Sequence, residues 1–312
     1  MNDYAHISET EASRLAARIR RLSKPLRPGR RDITPKLQPL PGIRSVLFSV
    51  YGTLLISENR NDWACRPPGA AAAFGAALRA AGFRKIAPKL AAGGPARLSG
   101  QIRRHIRFLQ QHGVKYPEVD LVGIWRALLT DGLEKGLLAG SLSLTTLHRA
   151  AVEYECRLHP AWPMPHVEET LDALRAHRLK IGLVSNAQFF TPLQIQGLFG
   201  KSLGSLGIPP HRCVWSYDMG IAKPSPALVQ RALLHLRHQY GILAEATLVV
   251  GCDPANDLKP ARDLGCRTAF FMGSTQCLAS RKKPASNGFQ PDLVLTDLAQ
   301  LPACVLGNGN NH

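Results

Sequence analysis

The chain of 312 residues contains no apolar run approaching the ~18–20 residues that a membrane helix needs, so no membrane partner is expected. Its first ten residues, Met1 to Thr10, hold Asp3 and Glu9 and no apolar stretch, and do not read as a secretory signal. Seven cysteines stand at Cys65, Cys156, Cys213, Cys252, Cys266, Cys277 and Cys304, without a C-x-x-C pair. Neither a disulfide framework nor a cysteine zinc site is expected, and a reducing cytoplasm is the simplest compartment. No H-E-x-x-H occurs among the 11 histidines. His235 and His238 are three apart on an expected helix, a spacing far commoner for solvated side chains than for ligand pairs. No internal repeat is visible, and the Ala/Gly run Gly69–Ala77 is the one low-complexity stretch.

Acid is the scarce charge, with 22 Asp and Glu against 39 Lys and Arg and a formal net charge of +17. The excess is largest in residues 1–44 and 60–160. Such a balance favours anionic partners: phosphorylated metabolites, nucleic acid or acidic surfaces. No basic-aromatic recognition motif stands out, so ordinary solvated basic faces explain the charge as well, and nucleic acid is the lesser alternative. With 45% hydrophobic and 20% charged residues, what remains is a soluble globular chain, long enough for one large domain or two ordinary ones.

Residues 1–42 read as a basic, Pro-rich N-terminal arm. Ser8-Glu9-Thr10-Glu11 is a capping pattern before an Arg-rich helix to about Leu22, and Pro25, Pro28, Pro35, Pro39 and Pro41 then break regular structure. A first buried strand is expected over Arg44–Tyr51, a short apolar run ending at Gly52-Thr53. Residues 60–160 contain no convincing strand. Helical apolar spacing appears over Ala70–Ala81, Ile102–His112, Val119–Leu133 and Leu144–Leu158, which predicts a helical insertion. From Met164 onward, helix and strand patterns alternate, with strands expected at Lys180–Ser185, Cys213–Ser216, Thr247–Gly251, Arg267–Met272 and Leu293–Thr296. Helices are expected at His166–His177, after Thr191, and at Pro224–His238, Asn256–Leu264 and Leu298–Leu306. The alternation predicts an α/β doubly wound parallel sheet, built from 43–59 plus 161–306, with its site at the carboxyl ends of the strands.

Four of those ends carry chemistry. Gly52 and Thr53 offer backbone amides and a hydroxyl to an anion. Ser185 and Asn186 supply hydrogen-bond groups. Lys223, followed by Pro224, adds a compact positive charge at an expected helix start. Asp253 and Asp257 place two carboxylates near one strand end, suited to Mg²⁺. Each feature alone is an ordinary turn, cap or surface lysine; the set in this order is not.

In order, spacing and position, Phe48-Ser49-Val50-Tyr51-Gly52-Thr53, Val184-Ser185-Asn186, Ala222-Lys223-Pro224 and Gly251-Cys252-Asp253 through Asp257 resemble the four motifs of the haloacid dehalogenase superfamily. The resemblance covers about residues 43–306. It implies a Rossmann-like core, a helical cap of the C1 type at 60–160, catalytic positions at Ser49, Tyr51 and Lys223, Mg²⁺ as cofactor, and a small anionic substrate, phosphorylated or of the halogenated-acid type.

The chain departs from the family at two places. Ser49 stands where the family has its nucleophilic aspartate, and Tyr51 where phosphatases have a second aspartate; Tyr51 is the dehalogenase-like residue. A serine hydroxyl needs an adjacent base to attack, and no Ser-x-x-Lys or G-x-S-x-G surrounds Ser49. Many members begin the fourth motif Gly-Asp, whereas Gly251 is followed by Cys252, read as a small buried hydrophobe. Two functions follow as expectations: a weak or inactive hydrolase of a small anion, or a non-catalytic protein that keeps the site to bind a phosphorylated ligand or a protein partner.

Overall fold

The computed structural model describes residues 7–29, 33–57, 67–273 and 289–306; Cys65, Cys277 and the boundary expected at residues 59–60 lie outside them. In chain order the elements are α1 (Glu9–Leu22), β1 (Ser45–Phe48), β2 (Leu55–Ser57), α2 (Ala70–Ala80), α3 (Pro88–Gln111), α4 (Leu121–Glu134), α5 (Leu144–Leu158) and β3 (Ala161–Pro163). They continue with α6 (Val167–Ala176), β4 (Lys180–Ser185), α7 (Thr191–Phe199), β5 (Cys213–Trp215), α8 (Ser216–Met219), α9 (Ala227–Tyr240) and β6 (Thr247–Gly251). The last are α10 (Lys259–Asp263), β7 (Arg267–Phe271), β8 (Leu293–Leu295) and α11 (Leu301–Val305).

Six strands form one sheet in the order β5-β4-β1-β6-β7-β8, and every neighbouring pair is parallel. The fold is thus a doubly wound α/β sheet with flanking helices. β1 is central: Phe48 pairs with Leu183 on one side and Val250 on the other. From β1 the chain builds one half through β4 and β5, then returns to build the other through β6, β7 and β8. This reversal beside β1 is where such sheets gather their ligands. β1 and β6 are buried throughout, as strands covered on both faces must be. Leu47, Val184 and Val249 of the sheet pack with Leu228, Val229 and Leu236 of α9 in one buried cluster.

The chain divides into two compact units: residues 1–24, 60–161 and 188–200 in one, and 25–59, 162–187 and 201–312 in the other. The first is helical. In it Phe74 stacks on Trp125 with ring centroids 5.3 Å apart, and Tyr154 meets both edge-on. α1, capped by the Ser8 hydroxyl, packs against α5 and α7. Arg149 holds Glu11 of α1 through two bonds of 2.9 and 3.0 Å, and Arg18 of α1 grips Glu153. The basic N-terminal stretch is therefore not one arm. Its helix belongs to the helical unit, while its Pro-rich part lies with the sheet, where Lys36 exchanges two backbone hydrogen bonds with Val294 and covers the edge strand β8.

Some boundaries differ from the pattern. The first strand stops at Phe48 because the Val50 carbonyl accepts the amides of Thr53, Leu54 and Leu55, turning the chain. α3 begins fourteen residues before Ile102, at Pro88 in the first-turn position that proline favours. Its buried side includes Leu90 and Leu98, and Pro95 sits inside it. β2 and β3 pair as a two-stranded ribbon, and at three residues each they are too short to leave a periodic signal. Among the described residues no helix is long and apolar enough to cross a membrane.

Candidate active site

The strand order brings the ends of β4, β1 and β6 side by side, so residues 185, 49 and 251, far apart in sequence, become neighbours. Ser49 extends β1 by one residue, its amide bonded to the Val250 carbonyl at 2.9 Å. At β4 the Ser185 hydroxyl accepts the Val50 amide at 3.4 Å and donates to the Asn186 carbonyl at 3.1 Å. Ser185 thus clamps the β1 turn.

Lys223 lies in the loop before α9. The helix starts at Ala227 rather than at Pro224, because Ser225 N–H bonds back to Ala222 and closes a turn first. Asn186 holds this loop with both ends of its amide: its Oδ1 accepts the Lys223 N–H at 2.7 Å, and its Nδ2 donates to the Lys223 carbonyl at 3.4 Å. The side chain then runs into the protein and is 7% exposed. Its ammonium donates to the Asp257 carboxylate at 2.7 Å, the Val184 carbonyl at 2.5 Å and the Ser49 hydroxyl at 3.3 Å. An ammonium has three N–H donors, and three acceptors take them. Among the described residues Lys223 is the side chain that hydrogen-bonds the Ser49 hydroxyl.

The two aspartates do different work. Asp257 is buried; its second oxygen accepts the Asp253 amide at 3.0 Å. Gly251 makes room for it, since a Cβ there would stand 2.5 Å from the Asp257 Cβ. Asp253 is half-buried and caps the wide helical turn Pro254–Leu258. One oxygen accepts the Ala255 and Asn256 amides at 3.0 and 3.1 Å, the other the Asn256 side chain at 2.9 Å. Such a cap explains Asp253 without a ligand.

These donors offer a divalent cation less negative charge than three carboxylates would. Mg²⁺ takes oxygen ligands in a near-octahedral shell. Here one carboxylate is spent on cap donors, the other faces an ammonium, and position 49 adds a hydroxyl in place of a carboxylate. Among the described residues no group of three or more His, Cys, Asp or Glu is placed to hold a metal ion.

Thr53 is fully buried, and its Oγ1 has no hydrogen-bond partner among the described residues. Gly52 takes the left-handed conformation, φ 77°, that the turn requires. Tyr51 is half-buried, and its carbonyl accepts the Cys252 thiol at 3.5 Å, so Cys252 packs as the small buried side chain expected of it. Sequence patterns missed two neighbours on α8. The Ser216 hydroxyl accepts the Ala187 amide at 2.8 Å and returns a bond to its carbonyl, fixing the loop after Asn186. Burial holds the Tyr217 phenol well above its ordinary pKa, with Asp218, Cys213 and Tyr51 adding to the effect. Neither residue lies in a recognisable motif, so no local signal marked them.

Comparison with known proteins shows the family and the fold. The profile of the haloacid dehalogenase-like hydrolases matches residues 43–265. A glyceraldehyde 3-phosphate phosphatase of Methanocaldococcus jannaschii is 28% identical over 141 residues, 45% of this chain. The match spans about half of that enzyme, 54% of its length. A 2-haloacid dehalogenase from Pseudomonas syringae pv. Tomato DC3000 shares the fold, with a TM-score of 0.50 and 23% identity over 83% of this chain and 96% of its own. A HAD phosphatase from Thermococcus onnurineus aligns with a TM-score of 0.47 and 16% identity, over 83% of this chain and 96% of its own. With well over half of its length matched by the family profile, this chain belongs to the haloacid dehalogenase-like hydrolases.

Proposed function

We propose that this chain binds a small anionic ligand, of the phosphorylated or halogenated-acid class, at the carboxyl ends of β1, β4 and β6, and does not turn it over through a covalent aspartyl intermediate. The contact between Ser49 and Lys223 carries this reading. A serine attacks when a neighbouring base takes its proton. The Ser49 hydroxyl instead meets an ammonium donor at 3.3 Å, which has no lone pair to accept that proton.

The ligand class rests on the relatives, whose names specify glyceraldehyde 3-phosphate and 2-haloacids. The donor assigned to the anion is the Thr53 hydroxyl, which has no hydrogen-bond partner among the described residues, whereas the Gly52 and Thr53 amides already donate to the Leu55 and Val50 carbonyls. Lys223 and Asn186 build the site rather than reach out of it, since each is occupied within the protein. Hydrolases of this family generally use Mg²⁺; binding here is proposed to be metal-independent, because Asp253 and Asp257 are spent on internal donors. The helical insertion is read as a cap of the C1 type. No disulfide joins the described cysteines to one another, in keeping with a place in the cytoplasm.

The test compares wild type and Ser49→Asp on one panel of phosphomonoesters and 2-haloacids, with and without Mg²⁺, beside calorimetric titration with inorganic phosphate. Wild type is expected to bind phosphate without Mg²⁺ and to show background turnover, and Ser49→Asp to gain hydrolysis of at least one substrate. Wild-type turnover above ~1 s⁻¹, an ordinary enzymatic rate, would overturn the binding reading. No phosphate binding by either protein would overturn the site.

A further inference from the structure

α3 presents an unbalanced charged face. The chain has no Asp or Glu from Pro67 through Pro117, and α3 lies wholly inside that stretch. In its second half Arg103, Arg104, Arg107 and Phe108 are all exposed, as is His112 at its C-cap. At ~100° per residue they fall on one side, in the angular order Arg103, Arg107, Arg104, Phe108, His112. Among the described residues the ion pair of this helix is Arg97 with Asp131 at 3.5 Å, one turn and more from the cluster, and Arg103, Arg104 and Arg107 have no carboxylate partner.

Phe108 adds a different chemistry. It is 55% exposed, among the most exposed large apolar side chains of the protein, and its ring lies against His112 with centroids 4.2 Å apart. Just beyond the helix, Lys115 sits over the Tyr116 ring, 5.2 Å from its centroid. Open cations for phosphates beside an open ring for a base are what a single-stranded nucleic acid needs. An acidic peptide would use the arginines but leave the flat ring without purpose. An anionic bilayer needs a continuous apolar face, and this face holds one apolar side chain among cations.

We propose that this face of α3 binds single-stranded nucleic acid, with little base specificity, through Arg103, Arg104, Arg107 and Phe108. The proposal stands apart from the strand-end site and survives or fails without it. The experiment is fluorescence anisotropy of the full chain with a labelled 20-nucleotide oligouridylate, from 50 to 300 mM KCl. The same strand in duplex form and vesicles of phosphatidylcholine with phosphatidylserine serve as competitors. Each phosphate contact on a single strand contributes about −0.7 to the slope of log affinity against log salt. Arg103→Gln/Arg104→Gln/Arg107→Gln is therefore expected to flatten that slope by about 2 and to weaken binding ~100-fold at low salt. Phe108→Ala is expected to keep the slope and lose ~5- to 100-fold in affinity, the cost of one stacked base. All four side chains are exposed, so thermal melting should match wild type. Wild-type affinity in either variant would overturn the proposal, as would failure of wild type to bind the oligonucleotide. Displacement by vesicles but not by unlabelled oligouridylate, or tighter binding of duplex than of single strand, would overturn it equally.

Discussion

At the scale of single residues, the site is a set of buried charges that hold one another. Lys223 and Asp257 are both nearly inaccessible, with side chains 4% and 6% exposed. Removing one partner of a buried pair leaves the other charge unpaired and costs ~3–5 kcal/mol, whereas removing both costs much less. Lys223→Met is accordingly expected to destabilise by ~3–5 kcal/mol, and Lys223→Met/Asp257→Asn to recover more than 1 kcal/mol of that loss. Urea denaturation of the two single variants and the double closes the cycle; strictly additive losses would show that the two charges are not coupled. Gly251 supports the same pair by having no side chain. A Cβ there would press on Asp257 at 2.5 Å, so Gly251→Ala is expected to cost ~1–3 kcal/mol, the usual penalty for overpacking. Gly100→Ala in α3 is the control. Its Cβ would meet only the flexible Arg104 side chain, at 3.6 Å, so it should be neutral or stabilising.

At the scale of elements, α5 carries a titratable group that opposes acid. His148 is 2% exposed, stacks on Phe189 with ring centroids 4.7 Å apart, and leaves its Nε2 without a hydrogen-bond partner among the described residues. Burial pushes its pKa below the ordinary imidazole value; Arg126 pushes the same way and Glu11 partly offsets it. The unfolded chain therefore takes up a proton before the folded chain does. Stability from this group is present above the unfolded value of about 6.5 and falls as pH drops below it. The thermal midpoint of wild type should decline between pH 7.5 and 5.5 more steeply than that of His148→Phe, which keeps the ring and removes the proton site. Parallel declines in the two proteins would show that His148 is not the group responsible.

At the scale of the whole molecule, a formal charge of +17 sets repulsion against the local ion pairs. Raising salt from 10 to 150 mM shortens the screening length from about 30 to about 8 Å. Long-range repulsion is weakened throughout, while partly buried pairs such as Arg18–Glu153 are screened much less. The melting temperature should therefore rise by a few degrees over this range. A fall would show that surface pairs such as Lys259–Asp263 outweigh the net repulsion.

How much of this the sequence determined follows from what is local. Strands at Lys180–Ser185 and Thr247–Gly251, and a helix over Leu144–Leu158, coincide with the pattern, because periodic burial is written along the chain itself. The doubly wound sheet follows from the alternation, and the neighbourhood of Ser49, Ser185 and the β6 end follows from the sheet. The tertiary structure decided what each of those side chains does. Lys223 reads as a cation offered to a ligand, but its donors are consumed by Asp257, Val184 and Ser49, from 34 to 174 residues away. Asp253 reads as one of two carboxylates at a strand end, and only the fold shows that it also accepts the Ala255 and Asn256 amides as a cap. Phe108 reads as one apolar residue in a helical pattern, and only packing shows that it faces outward among arginines. Hydrogen bonds are exhausted, and surfaces exposed, by neighbours that the fold brings together. A side chain's type and spacing state its capacity, while those neighbours decide how much of it is left to use.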